Sequence, residues 1–532
     1  MRSIFILVFF FLHLQAIAQA TTFPFEIQLK ADSIIGFNGL HSFAFGQLND
    51  RVVLIGGRQD GIHARQPFNA FASSQNNTSL QLLDLTTNQF WSAPINSLSS
   101  ALQEQLQSTN MNFFQDGNEL IIAGGYAFSN AANDHITFPN LTRIDLNGLM
   151  HAIIDDQPIS PYFEQITDQR FAVTGGNLTK IGGQYYLVGG HRFDGRYNPM
   201  NNPTFVQSYV DGLKIFELSP VGQSLEVLNY QLITDQVNLH RRDYNLLPHI
   251  YPNGEIGALI SSGVFQINAD LPFLYPVEVK SSGHEPVVGF SQYLSNYHSS
   301  KFSAYDTMSG SMHHIFLGGL SEYYYQNGTL INDENVPFVS TISRLSQGPD
   351  GSYQEYVMQG QMPGLLGSSA EFIHNQQIAH YAHDIIDIAT FNSDSILIGH
   401  IIGGLKSTQL NPFTNNNTNS TSANAVIYEV WLKPSNTGQI RVEAPLNATK
   451  VQLFPNPARD ILNLDFDLDQ KMNVECFVLD PNGKIVHEVY YQKVKKTSKH
   501  IDTKALGIKP GLYSIHLIFN DQYLQTKQIL IQ

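Results

Sequence analysis

Cysteine is almost missing from this chain of 532 residues. Cys476 stands alone, which excludes an intramolecular disulfide and any cysteine-built metal cluster. Charge is scarce as well: Asp, Glu, Lys and Arg together make up 14% of the residues, and 30 basic against 45 acidic side chains leave a formal charge of −15. Binding to a phosphate backbone rests on a surplus of Lys and Arg, so a nucleic-acid partner is excluded and an anionic membrane surface is disfavoured. No apolar run reaches the roughly 20 residues that span a bilayer, so no transmembrane helix is expected. Also missing are a Walker lysine behind a glycine-rich loop, a Gly-x-Ser-x-Gly elbow and a His-Glu-x-x-His pair.

What is present leans to β structure. Hydrophobic residues account for 42% of the chain, with 34 Phe and 24 Tyr, and 40 glycines supply turns. The first twenty residues combine Arg2, an apolar stretch from Ile4 to Leu14, and small residues at Ala16, Ala18 and Ala20. That is the three-part pattern of a secretory signal peptide, with cleavage after Ala18 or Ala20 fitting equally well.

From Phe23 to about Pro434 one unit recurs: an apolar strand, a short turn, a second apolar strand ending in glycine, a polar stretch, and a third strand. The glycine endings are Leu54–Gly57, Ile121–Gly125, Tyr186–Gly190, Leu259–Gly263, Ile315–Gly319 and His400–Gly404. Turn signals precede them, among them Asn49-Asp50, Asp116-Gly117-Asn118, Pro252-Asn253-Gly254 and Asn392-Ser393-Asp394, so each unit opens with a hairpin. Third strands carry an acid at a recurring place: Asp84, Asp145, Glu217, Glu278 and Glu429. A unit of three or four strands cannot bury both faces alone, whereas six stacked radially can, so a β-propeller is expected. Phe25–Leu29 can pair into the sixth unit and close the ring. The doubled glycines read as positions of positive φ and close backbone approach, without any phosphate-cradling role.

The apolar run, the glycine pair and a later aromatic, as in Val53–Gly57 followed by Trp91, resemble the kelch repeat. Blade four has Ser-Ser-Gly in place of the pair, most units lack the tryptophan, and the intervals exceed the kelch period of about 50 residues, which places the excess in surface loops. The resemblance implies a six-bladed kelch-like β-propeller over 21–436. Copper radical oxidases share that fold, but their cofactor needs a cysteine joined to a tyrosine, and this region has no cysteine. No cofactor and no metal are expected.

A polar linker over 437–448 leads to a segment at 449–532 with period-two alternation, read as a small Ig-like β-sandwich. Within it stand Pro455-Asn456-Pro457, Asp480 with Gly483-Lys484, Gly511-Leu512-Tyr513, and Lys527. In order and spacing these resemble the C-terminal sorting domain of the type IX secretion system of Bacteroidota. The resemblance implies the type IX secretion machinery as partner and a secreted or outer-membrane-attached protein of a Gram-negative bacterium.

Residues just ahead of each first strand should converge at one mouth of the central channel. They bring Arg170, Arg241, Arg242, Tyr244, Tyr297, His298, Lys301, His380 and His383 into consideration. Arginine offers a planar fork to oxyanions and tyrosine stacks on sugar faces, so a glycan or a protein ligand held at the mouth is expected. The bland alternative is that Arg242 and Asp243 satisfy each other and nearby carbonyls. A His380–His383 metal pair is disfavoured, because that spacing shares a face only on a helix. Beside the binding module stands a second reading: a small-sugar enzyme, resembling the mutarotases or epimerases, with Asp243 as acid or base and Arg242 holding the anion.

Overall fold

Arg51–Ile55, Glu119–Ala123, Gln184–Val188 and Ser311–Leu317 are short apolar runs without alternation, and each is buried on both faces from its second residue onward. Only a strand with neighbours on both sides and layers on both faces tolerates that composition. In the computed structural model, which describes residues 21–532 apart from 200–203, 327, 392–393, 436–439, 443–448 and 521–522, these runs are the second strands of four-stranded antiparallel sheets. The signal segment at 1–20 and most of the Asn392-Ser393-Asp394 turn lie outside the described residues.

The chain is all-β. Among the described residues, six such sheets follow one another, numbered I to VI here, each a meander of first, second, third and fourth strands. First strands are Ala44–Leu48, Asn112–Asp116, Asn177–Ile181, Asn245–Ile250, Ser300–Asp306 and Leu365–His374. Sheet VI takes its fourth strand from the other end of the chain: Phe25–Asp32 pairs antiparallel with Ile427–Pro434, from Phe25 opposite Pro434 to Asp32 opposite Ile427. Ile440–Val442, inside the stretch read as linker, adds to the outer edge of sheet V opposite Val357–Glu355, an open edge that accepts an apolar strand.

Successive sheets are joined at their first strands. Just ahead of each of the first five, and inside the sixth, sits a residue with left-handed backbone: Ser42, Asn110, Gly175, Asp243, His298 and Ser369, with φ from +51° to +64°. The Asn110 amide donates to Ser42 O (3.1 Å), Gly175 to Asn110 O (3.2 Å), and Asp243 to Gly175 O (2.7 Å). Ser369 donates to His298 O (2.7 Å) and Ser42 to Ser369 O (3.1 Å), which closes the circuit. Between sheets IV and V, Asn245 makes the link: its amide donates to Asn296 O (2.9 Å) and its carbonyl accepts from the Ser299 N–H (3.1 Å).

The glycine pairs serve the same junctions. The second glycine donates to the neighbouring sheet, Gly57 to Ser108 O, Gly125 to Val173 O, Gly190 to Arg241 O, Gly319 to Leu366 O and Gly404 to Leu40 O, all at 2.8–3.1 Å. The first glycine lies against that same segment; a β-carbon on Gly124 would stand 1.8 Å from Val173 O. Of the recurring acids, Asp84 pairs with Arg51 and Glu429 with Lys30, whereas Asp145 caps the helix Leu146–Ile154 by accepting from the Gly148 N–H.

The C-terminal domain is a five-stranded sheet folded on itself. Ile461–Leu479 pairs through its first half with Thr449–Phe454 and through its second with Gly511–Phe519, while Ile485–Asp502 follows it along both. Register shifts between Asp467 and Val474 bend it, so Leu464, Phe466, Cys476, Leu517 and Ile529 share one core. This domain docks on sheets III and IV. Phe477, Leu479, Ile518 and Leu524 pack with Val237, Tyr275, Val277 and Val279. The Asp480–Lys484 turn accepts the Gln236 N–H at Gly483 O (3.0 Å) and the Thr234 hydroxyl at Asn482 O (2.8 Å).

At this seam Asp235 accepts from His284 (2.9 Å) and Asn238 (2.7 Å), and Asn238 also contacts His516 (3.3 Å). Burial pushes the Asp235 carboxyl up, but the His284 bond and the nearby His516 bring it down to about 2 from its usual 3.8. The stability an ionised Asp235 supplies is therefore complete above about pH 4 and lost as pH falls toward 2. The parent protein is expected to lose about 2 kcal/mol more than Asp235→Asn between pH 5 and pH 2, measured by urea denaturation. A second test concerns the glycine pairs. Gly117 has open space around its missing β-carbon while Gly124 does not, although both have positive φ. Gly117→Ala is expected to cost about 1 kcal/mol and Gly124→Ala several times that, read from thermal unfolding.

Candidate functional site

The circuit of left-handed residues forms the rim of a mouth, and the side chains on and beside it set the chemistry there. Arg242 donates from Nε to the Tyr209 hydroxyl (3.2 Å), pairs through Nη1 with Asp243 Oδ2, and lies 5.0 Å over the Phe265 ring. Its other terminal nitrogen, Nη2, has no partner among the described residues. Gly175, the rim position without a side chain, leaves room for Asp243: a β-carbon there would come within 2.8 Å of Asp243 Oδ1. That oxygen is buried and unpartnered. Burial raises the Asp243 carboxyl's affinity for a proton, but the charge of Arg242 paired with it outweighs burial and holds the group ionised. Beside it, His298 Nδ1 sits 3.3 Å from Ser369 Oγ. Across the rim a second pair, Arg58 with Asp60 at 2.6 Å, stands 3.6 Å from His41.

Imidazoles crowd this region, and burial lowers each of them: His41, His298, His63 to about 4 and His191 to about 3. Near pH 7 these imidazoles are therefore neutral, and Arg58–Asp60 and Arg242–Asp243 stand among them as ion pairs. Above the rim rise the connections between second and third strands. Their aromatics interlock: His63 on Phe71 (4.8 Å) and Tyr197 (4.7 Å), Phe71 on Tyr126 (5.1 Å), and Phe193 on Tyr126 (5.3 Å) and Phe205 (4.5 Å). Sequence reasoning assigned this length to surface loops and passed over it; the signal it held was the density of Phe and Tyr between residues 68 and 209.

The residues singled out from the sequence divide into groups. Arg242, Tyr297, His298 and Asp243 meet at the rim. Lys301 stands three residues further along its strand, 3.5 Å from Ser299 O, and faces the charge of Glu371. Arg241 does not reach the mouth. It is 1% exposed, donates to Asn238 O, Ser262 O and Tyr275 O, and stacks on Phe273 and Tyr275. Tyr244 is likewise buried, its hydroxyl donating to Val188 O (2.6 Å). Arg170 pairs with Asp168 over Tyr230 of an outermost strand, away from the axis.

His380 and His383 lie at the opposite end. The first strand of sheet VI is Leu365–His374, and its rim residue is Ser369; residues 375–391 then cross the far end. His383 packs on Phe114, Ile385 on Ile250 and Met312, and Ile386–Asp387 pairs parallel with Ala304–Tyr305. The expected convergence of these two histidines with Arg242 fails because this connection is a long segment where the other sheets have a tight turn. Among the described residues no group of three or more His, Cys, Asp or Glu side chains has metal-holding geometry.

In the C-terminal domain, Asn456 follows Pro455 and precedes Pro457, and bridges to the last strand by donating to Gln528 O (3.2 Å) and accepting from the Leu530 N–H (3.0 Å). Together with Phe454 and Lys527 it borders a groove of about 550 Å³. Gly483 at φ +74° and Lys484 form the turn that docks on the body, Gly511 opens a strand, and the Tyr513 hydroxyl donates to Lys509 O (2.8 Å).

Residues 452–532 match the family described as a secretion system C-terminal sorting domain. The tail is a type IX sorting tail. Its presence marks the chain for export through that machinery, to the outside or the surface of the cell. No helix of the described residues is long and apolar enough to cross a membrane. No curated protein matches the chain. A solved structure described as that of YjhT is similar over 77% of this chain and 99% of its own, at 11% identity and a TM-score of 0.39, a likeness too distant to carry an argument.

The depressed imidazoles give a direct check. A histidine gains charge only below its own pKa, so the ring protons of His63 and His191 are expected to hold their NMR shifts from pH 8 to pH 5.5. A titration centred near 6.5 would contradict the burial that defines the mouth.

Proposed function

We propose that the chain is a secreted or cell-surface binding module of Bacteroidota: a six-bladed kelch-like propeller over 21–436, preceded by a signal peptide at 1–20 and joined through 437–448 to a sorting sandwich over 449–532. The circuit of first strands supports the propeller reading, since each sheet then stands as one blade around a shared axis. At the mouth the module holds a carboxylate-bearing glycan. The observation that carries this is Arg242, anchored through Nε and Nη1 and packed over Phe265, with Nη2 unpartnered beside half-buried Tyr297 and Tyr209. A guanidinium fixed on one side and unpaired on the other is preorganised for an oxyanion, and the tyrosines offer faces to a pyranose.

Binding is favoured over turnover by the state of Asp243. A general base works best with a pKa near the working pH, and Asp243 is held well below that by Arg242. On an array of acidic and neutral glycans, the purified body is expected to retain carboxylated sugars, and Arg242→Gln to weaken that retention at least about tenfold. Arg242→Lys is expected not to restore it, because an ammonium lacks the planar fork. Anomer exchange detected by NMR and lost in Asp243→Asn would replace this reading with the sugar-enzyme one. Silence in both assays would point to a protein ligand.

A further inference from the structure

The C-terminal domain buries a face that a free β-sandwich leaves to water. An antiparallel sheet with one solvated face alternates apolar and polar residues. Along the second half of Ile461–Leu479 and along Gly511–Phe519 that alternation stops. Val474, Cys476 and Val478 enter the domain's own core with Ile515, Leu517 and Phe519, yet Phe477, Leu479 and Ile518, on the opposite face, are just as apolar and only 1–3% exposed. Leu524, on the last strand, is fully buried with them. The cover over these four side chains comes from the body, as Val237, Tyr275, Val277 and Val279.

Polar bonds fix the position of the contact. Besides the two that the Asp480–Lys484 turn accepts from Thr234 and Gln236, the Ile485 N–H donates to Gln236 Oε1 (3.0 Å) and the Gly289 N–H donates to Leu524 O (3.2 Å). The contact is made by the half of Ile461–Leu479 that the entering strand, Thr449–Phe454, does not pair with. The hold of tail on body therefore rests on side chains and backbone bonds, at a distance from the covalent connection.

His516 lies on the docked face, flanked across the strands by Phe477 and Thr526. Its Nδ1 stands 3.3 Å from Asn238 Nδ2. The same Asn238 atom meets Asp235 Oδ2 at 2.7 Å, and the Tyr275 hydroxyl donates to Asn238 Oδ1 (3.2 Å). An ionised carboxylate only accepts, so Nδ2 is the donor to both neighbours, and His516 Nδ1 carries a lone pair. A proton on Nδ1 would set one N–H against another. The titratable groups facing this ring are Asp235 and His284 of the body, themselves bonded at 2.9 Å, and Glu475, on the same face of the adjoining tail strand. Burial lowers the ring from its usual 6.5; Asp235 pulls it up, His284 pulls it down, and burial prevails.

We propose that the body surface formed by sheets III and IV is a binding site for the tail as a separate chain: with the connection between Val442 and Thr449 cut, body and tail remain a complex at neutral pH, and protonation of His516 releases it in acid. The undocked ring takes a proton at its ordinary affinity, whereas docking requires the neutral form. Affinity is therefore complete above pH 7 and declines as pH falls through 6.5, by about tenfold or more at pH 5. The site is independent of the mouth and of the ligand proposed there.

The test is a protease recognition sequence placed between Val442 and Thr449 of the full exported chain, cut after purification and checked on a denaturing gel. Analytical ultracentrifugation is expected to show one complex at pH 8, with a Kd of about 1 µM or tighter, and a Kd at least about tenfold weaker at pH 5 with an unchanged circular dichroism spectrum. His516→Gln keeps an acceptor opposite Asn238 and takes no proton. It is expected to bind within about threefold of the parent at pH 8 and to lose the dependence on pH. The proposal is overturned if the cut halves separate at pH 8, if the parent's affinity is the same at pH 5 as at pH 8, or if the His516→Gln complex weakens in acid as the parent's does. The parent's own pH series decides the case where the variant does not fold.

Discussion

Six residues in left-handed conformation, joined backbone to backbone at five steps and through the Asn245 side chain at the sixth, set the positions of the six first strands. For the five that are not glycine, that conformation costs roughly 1 kcal/mol or more apiece and persists only where the surroundings over-determine it. Here the compensation is the ring of N–H···O bonds between neighbours, supplemented by Asn245 between the fourth and fifth sheets. Since every first strand departs from the same circuit, residues separated by most of the chain are brought to one place. Asp243 and His298 become neighbours in this way, as do Ser42 and Ser369.

Closing such a circuit requires the two ends of the repeat region to meet. Phe25–Asp32 supplies the last strand of the last sheet, with Lys30 and Glu429 paired across it. The ring closes as a sheet, and no open edge is left there to recruit another chain. The sorting tail docks elsewhere, on sheets III and IV, through a mixed apolar and polar contact centred on Leu479 and Asp235.

At the mouth, buried imidazoles are kept neutral, and the Arg58 and Arg242 guanidiniums each stand paired with an aspartate in a protein that is acidic as a whole. A rigid sheet scaffold carries this chemistry on its connections, since loops vary at little cost to the core.

Repetition was legible in the residues themselves. Apolar runs ending in glycine pairs marked the second strands, recurring acids marked most third strands, and Phe25–Leu29 was visible as the closing strand. The sorting motifs were equally plain, because Pro455-Asn456-Pro457, Gly483, Gly511-Leu512-Tyr513 and Lys527 stand in a fixed order along the chain. Local pattern suffices for such features, since strand period and turn chemistry act over a few residues. The candidate site was legible only in part. Arg241 and Arg242 are adjacent, and which of them reaches the mouth depends on the irregular segment ahead of the strand, where Arg241 is held by Asn238, Ser262 and Tyr275 in the core and Arg242 by Tyr209 and Asp243 at the rim. His380 and His383 fell at the wrong end because one connection, residues 375–391, is long where the other five are tight. The sequence by itself determined the repeating β architecture and the export tail; tertiary structure decided which side chains share a cavity, because that depends on contacts between residues far apart in the chain.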